Sequence, residues 1–183
     1  MSIKLANPSD QRKGPNCGVT AVAIASGASF TRTWNLFKSI APRRYGKRWK
    51  GATYDGDYQR VLDKLGIDCT SYRPTVLRSP LHRWIAEHTK PDTVYIVVTT
   101  GHAQVVCNGT VIDQSGPKPV AEHWGRRKKV KFALHIYNPF AAAPAPATPS
   151  PLPAPAQPAA SSLFPALFPT QAPAAAELQL SLF

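Results

Sequence analysis

Acidic residues are scarce in this sequence, cysteines are too few to pair completely, and no apolar run approaches the length of a membrane span. Three cysteines, Cys17, Cys69 and Cys107, exclude a disulfide framework, and their spacing matches no zinc pattern. A reducing compartment fits them best. The opening stretch MSIKLANPSDQRKG has no apolar core of the kind a secretory signal carries. The expectation is a soluble, cytoplasmic protein with no membrane partner, no cofactor and no metal.

Charge is missing most completely from the C-terminal part. From Ala141 onward the one charged residue is Glu177, and ten of the nineteen prolines fall there. No amphipathic face can be drawn through such a segment, and its Ala-Pro repeats favour extended polyproline segments over a packed core. Residues 141–178 are therefore expected to be a disordered Pro/Ala-rich linker, with a folded domain over residues 1–140 and a separate terminal peptide at 179–183. At about 3.1 Å per extended residue, the linker would hold that peptide up to about 100 Å from the domain.

What the domain has in quantity is positive charge: 22 Lys and Arg against 9 Asp and Glu once Glu177 is set aside. The basic residues cluster at Arg43, Arg44, Lys47, Arg48 and Lys50, and again at Arg126, Arg127, Lys128, Lys129 and Lys131. An acidic partner surface, of which nucleic acid is the commonest, and plain solubility both account for such a balance. No recognised nucleic-acid motif accompanies the clusters.

Apolar periodicity divides the domain into helices followed by strands. Cys17 to Ser26 (CGVTAVAIAS) reads as a buried helix with Asn16 as N-cap and Gly27 as its stop. A second helix, capped by Ser29 or Thr31, should run to Ile40, and a third from about Thr53 to Leu65, with Tyr54, Tyr58, Val61, Leu62 and Leu65 inward and Gly66 closing it. A short strand over Ile67 to Tyr72 follows. Ser79-Pro80, a cap with proline at the first helical position, opens a fourth helix from Leu81 to His88. Strands are expected over Thr93 to Thr100, Ala103 to Val106, Thr110 to Gln114 and Lys129 to Tyr137, with Asn108-Gly109 as a hairpin turn. Helices first and a mostly antiparallel sheet second describe an α+β fold.

A thiol becomes nucleophilic near neutrality where a helix N-terminus and a protonated imidazole stabilise the thiolate. Cys17 meets the first condition by position. Of the five histidines, His102 follows Gly101 at a strand start, and Asp113 lies eleven residues on, across the Asn108-Gly109 turn. Folding that hairpin brings a carboxylate to the imidazole, to orient it for the thiol. Cys69 and Cys107 read as core cysteines and His135 as structural. Gln11, six residues before Cys17, offers a side-chain amide to an oxyanion.

In Gln11, Cys17-Gly18, Gly101-His102 and Asp113, over about residues 8–116, the sequence resembles the papain-like cysteine peptidases, and within them the bacterial double-glycine leader peptidases. Asn16 stands where those leader peptidases commonly carry an acidic residue. The resemblance implies a papain-like fold, with Cys17 as nucleophile, His102 as general base and acid, Asp113 as orienter and Gln11 as oxyanion donor.

The last five residues, Gln179, Leu180, Ser181, Leu182 and Phe183, match the consensus pentapeptide with which bacterial replication and repair proteins dock on the DNA polymerase sliding clamp. In that mode Leu182 and Phe183 fill an apolar pocket and Gln179 makes orienting hydrogen bonds. The combined expectation is a bacterial, phage or plasmid cysteine peptidase-like hydrolase of a protein substrate, tethered to the sliding clamp (β subunit). Its rivals are a non-enzymatic clamp- and DNA-binding protein that modulates replication, and a papain-like amidase or acyltransferase.

Overall fold

The computed structural model describes residues 5–72, 79–137 and 139. The linker at 141–178 and the terminal peptide at 179–183 lie outside them.

The described residues form an α+β fold of four helices and one antiparallel six-stranded sheet. In chain order the elements are α1 (Cys17–Ser26), α2 (Phe30–Ile40), α3 (Asp55–Lys64), β1 (Cys69–Tyr72), α4 (Leu81–His88), β2 (Val94–Thr99), β3 (His102–Cys107), β4 (Thr110–Asp113), β5 (Gly116–Pro119), a 3-10 turn (Val120–Glu122) and β6 (Val130–Ile136). The strand order across the sheet is β1-β6-β2-β3-β4-β5.

α1 is apolar all round because it is enclosed all round. Gly18 to Ser26 are buried without exception, with α2 and α3 on one side and β2, β3 and β4 on the other. Ala103, Val105 and Cys107 turn toward this helical layer, while Val106 joins Tyr95, Val97 and Ala133 beneath α4 on the opposite face. The alternation along β3 thus feeds two cores. Gly27, left-handed at φ 69°, ends α1 as expected.

The cap of α2 follows the expected chemistry with an addition. Ser29 Oγ accepts from the Arg32 N–H, and the Asp10 carboxylate takes the Phe30 and Thr31 N–H groups at 2.7 and 2.8 Å. Asp10 thereby pins the lead-in segment, Gln11 included, to the helical layer.

Several local expectations are corrected. Asn16 occupies the N-cap position of α1, but its side chain makes no capping bond; its Oδ1 accepts from Thr20 and Gln114 instead. Ser79 does not cap α4: Pro80 holds the N-cap place, and among the described residues Ser79 Oγ has no hydrogen-bond partner. The third helix starts at Asp55, not Thr53, so Tyr54 precedes it and is exposed, its ring 4.5 Å from the Arg44 guanidinium rather than in the core. Strand β5 was not anticipated. Its two prolines are tolerated because it is an edge strand, where a missing N–H breaks no interior ladder.

Part of the first basic cluster is structural. Arg44 and Arg60 both pair with buried Asp57, at 2.5 and 3.2 Å, and the Tyr45 hydroxyl donates to the same carboxylate at 2.6 Å. Among the described residues, no helix is long and apolar enough to cross a membrane.

Candidate active site

Two elements meet at the site. The N-terminus of α1 delivers Cys17, half-buried, and the β3–β4 hairpin delivers His102 and Asp113. Asn108 and Gly109 adopt φ 48° and 72°, the left-handed pair that a tight two-residue turn requires. The turn pairs Cys107 with Thr110, and the ladder that follows carries His102 and Asp113 to the same end of the sheet. There His102 Nε2 lies 2.9 Å from Asp113 Oδ2. With Nε2 engaged by the carboxylate, Nδ1 is the ring nitrogen left for another partner.

The electrostatics follow from these contacts. Burial pushes the Cys17 thiol up, but hydrogen bonds from His102 and from the Ala103 and Gly18 backbone, with the imidazolium charge, outweigh it and leave the pKa below the ordinary thiol value. Burial would lower His102, and its hydrogen bonds to Asp113 and Cys17 overcome that and raise it to about 9. Burial likewise acts to raise Asp113, yet the hydrogen bonds from His102, Ser115 and His123 hold it well below the usual carboxylate range. The three shifts run in one sense, each favouring the charged form of its group beside the next.

Asp113 receives more than His102. Its Oδ1 accepts the Ser115 N–H and hydroxyl at 2.8 and 2.6 Å. Its Oδ2 also accepts from His123 Nε2 at 3.1 Å and, at a longer 3.4 Å, from Trp124 Nε1. His123 is fully buried, and its Nδ1 accepts the Gly125 N–H at 3.1 Å, which places its proton on Nε2 and aims it at Asp113. A Cβ on Gly125 would come within 3.0 Å of the His123 ring, so glycine is what allows the backbone this close. The half-exposed Trp124 ring lies 5.1 Å from the His102 ring and covers the His-Asp pair from solvent.

His123 and Trp124 were not foreseen. Both reach Asp113 through β5 and the 3-10 turn, and the signal for that return was the turn between Asp113 and Gly116, whose two residues pair directly.

His102, Asp113 and His123 also offer ligand atoms within 4.8 Å of one another. A divalent ion would need the lone pair of His123 Nε2. Moving that proton to Nδ1 would set it against the Gly125 N–H, so the hydrogen-bond pattern favours a proton-holding group over a metal centre.

Gln11 is near the site but faces its support. Its Nε2 donates to the Gln114 carbonyl at 2.9 Å and its Oε1 accepts from Asn7 at 2.7 Å. The amide that lines the cleft is Gln114, whose Nε2 donates to the Gly14 carbonyl and to Asn16 Oδ1. Both N–H groups of Gln114 are thus committed, whereas among the described residues Gln11 gives only one of its two.

The cleft itself measures about 440 Å³, with Cys17 and His102 in its lining. Thr53, Asp55 and Tyr58 contribute from the α3 side, and Thr99, Gly101 and Lys131 from the sheet. Thr53 and Tyr58 share a 2.8 Å hydroxyl contact directly over Gly18. A Cβ at residue 18 would sit 1.8 Å from Thr53 Oγ1 and 2.5 Å from the Tyr58 hydroxyl, so glycine must follow Cys17 for this wall to close.

No family model matches the chain, and neither the curated proteins nor the solved structures contain a significant match to it.

Proposed function

We propose that this chain is a papain-like cysteine hydrolase that cleaves an amide bond in a protein substrate and is tethered through residues 179–183 to the bacterial sliding clamp. The observation that carries the chemistry is the line Cys17, His102, Asp113 at the cleft. The Cys17 thiolate attacks the scissile carbonyl, forming a C–S bond. His102 gives its Nδ1 proton to the leaving nitrogen as the C–N bond breaks, then takes a proton from the water that hydrolyses the thioester. Asp113 holds the ring through Nε2 and stabilises its cation. Gln11, six residues before Cys17, is the side-chain amide assigned to the oxyanion, through the Nε2 hydrogen that it does not give to the Gln114 carbonyl.

Iodoacetamide labelling of the native protein at pH 6 to 7, read by mass spectrometry, tests the nucleophile. Cys17 should label ahead of Cys69 and Cys107, and His102→Ala should slow it while His135→Ala should not. Faster labelling of Cys69 or Cys107 overturns the assignment.

The tether is tested separately, with a peptide of about ten residues ending at Phe183. Micromolar affinity for purified bacterial clamp is expected, since a few buried groups supply roughly 7 to 8 kcal/mol after ordering costs. Leu182→Ala with Phe183→Ala should abolish it, and the absence of competable binding below about 100 micromolar counts against the tether.

A further inference from the structure

Lys131 occupies an irregular place in the sheet. Along the β2–β6 ladder Val98 faces Phe132 and Thr99 faces Val130, so Lys131 is an extra residue with nothing opposite it. This is a β-bulge, and a bulge re-aims the side chain it carries. The result here is that Lys131, in a strand whose apolar members feed two cores, lines the cleft that holds Cys17 and His102.

Its charge is not spoken for. Among the described residues the Lys131 side chain makes no hydrogen bond or ion pair, whereas nearby Lys128 is engaged with the Thr100 carbonyl and the Trp124 ring. Asp55, in the first turn of α3 on the other side of the same cleft, makes no hydrogen bond or ion pair among the described residues, though its charge acts on the Tyr58 hydroxyl. Among the described residues the two form no ion pair, so the cleft carries an unpaired cation on the sheet side and an anion at the α3 N-terminus on the helix side.

We propose that Lys131 is a specificity residue that reads a carboxylate on the substrate next to the scissile amide, with Asp55 excluding the same charge from the helix side. The proposal rests on Cys17 being the nucleophile of this cleft. A substrate segment entering in one direction would set its acidic side chain against Lys131, and the opposite direction would set it against Asp55. The pair therefore fixes polarity as well as composition.

The test needs no knowledge of the natural substrate. Iodoacetate and iodoacetamide differ by one carboxylate, and the ratio of their rates at Cys17 reads the local field in the cleft. The imidazolium contributes equally in all variants. Lys131→Gln should lower the iodoacetate-to-iodoacetamide ratio roughly two- to fivefold, the range of a solvent-accessible charge pair, and Lys131→Arg should keep it. Asp55→Asn should raise it, and Lys118→Gln, in edge strand β5, should leave it alone. Added salt should shrink the differences.

A second pair of probes, N-acetyl-Asp-glycinal and N-acetyl-Asn-glycinal, places the charge one residue from the electrophile. The aspartyl probe should bind better to the native protein and lose that advantage in Lys131→Gln. An unchanged ratio and equal probe affinities, with Cys17 still labelling ahead of the other thiols, overturn the Lys131 assignment alone. If Cys17 labels no faster than Cys69, the nucleophile itself is wrong and the subsite falls with it.

Discussion

A half-buried cysteine and a half-buried histidine lie on neighbouring elements twice in this molecule: at the cleft they act on each other, and at the far edge of the sheet they sit on opposite faces, Cys69 with the α1-side core and His135 against Tyr95. Cys69 lies on β1 and His135 on the paired strand β6, where His135 faces Thr70 in register. Both are half-buried, as Cys17 and His102 are. At that edge, however, burial together with Asp63 and Asp68 pushes the Cys69 thiol up to about 11. Burial and the charge of Lys90 push His135 down. At the cleft the shifts run the other way. For the histidines the difference is a carboxylate: His102 has Asp113 at 2.9 Å, whereas among the described residues His135 has ring contacts with Tyr95 and Tyr137 and the charge of Lys90. Partial burial alone drives thiol and imidazole toward their neutral forms; at the cleft a buried, multiply donated carboxylate reverses this for the imidazole, and the imidazole with backbone N–H groups reverses it for the thiol.

The most damaging way to break the contrast is Asp113→Asn, which keeps the side-chain shape and removes the charge. His102 should fall back toward its ordinary range, and labelling of Cys17 at pH 7 should slow about tenfold or more, because each pKa unit is a factor of ten. A rate equal to the native protein's would mean that the helix terminus and backbone donors suffice without the carboxylate.

The pH profile sharpens the contrast less drastically. His102 titrates near 9 in the folded protein against an ordinary value of 6.5. Its contribution to stability is therefore fully present below about 6.5 and is lost as pH rises through about 9. Asp113 works in the opposite sense, contributing above the ordinary carboxylate range and losing that contribution in acid. In a histidine ring titration by NMR, His102 should show a midpoint near 9 and His135 one below 6.5. The melting temperature of the native protein should fall more between pH 7 and 9.5 than that of His102→Gln. Overlapping midpoints for the two histidines would erase the distinction.

The smallest effect comes from giving the far edge what it lacks. Thr70→Asp places a carboxylate across from His135 in the β1–β6 register, and the His135 midpoint should rise. Cys69 should stay slow to alkylate, since no helix terminus points at it. A His135 midpoint that does not move would show that burial and Lys90 dominate at this edge.

The parts of this site that depend on local chain chemistry were legible from residues alone. The Asn-Gly turn predicts a tight hairpin, and a tight hairpin sets the His102–Asp113 partnership. The apolar run after Cys17 predicts the helix and puts the thiol in its first turn. What escaped depends on tertiary context. Gly-Pro-Lys-Pro has the composition of a loop and is a strand only because the β4 edge is open to it. His123 carries no neighbouring motif, and its role exists only once β5 brings the chain back over Asp113. The lysine in the cleft was legible as part of a basic run, but not as the bulged residue, because a bulge is a property of two strands in register.

The short Asn108-Gly109 turn also sets an order in time. His102 and Asp113 are eleven residues apart, and a hairpin of that size closes in about 1 to 10 microseconds. Cys17 lies most of the domain away in the chain and joins only when α1 is enclosed between the other helices and the sheet, a contact of long sequence separation and slower formation. The imidazole and its carboxylate can thus meet while the protein is still largely unfolded, and the thiol arrives last. An unfinished chain would carry a tethered acid–base pair before it carries a nucleophile, so reactivity toward amides would appear only with the completed fold.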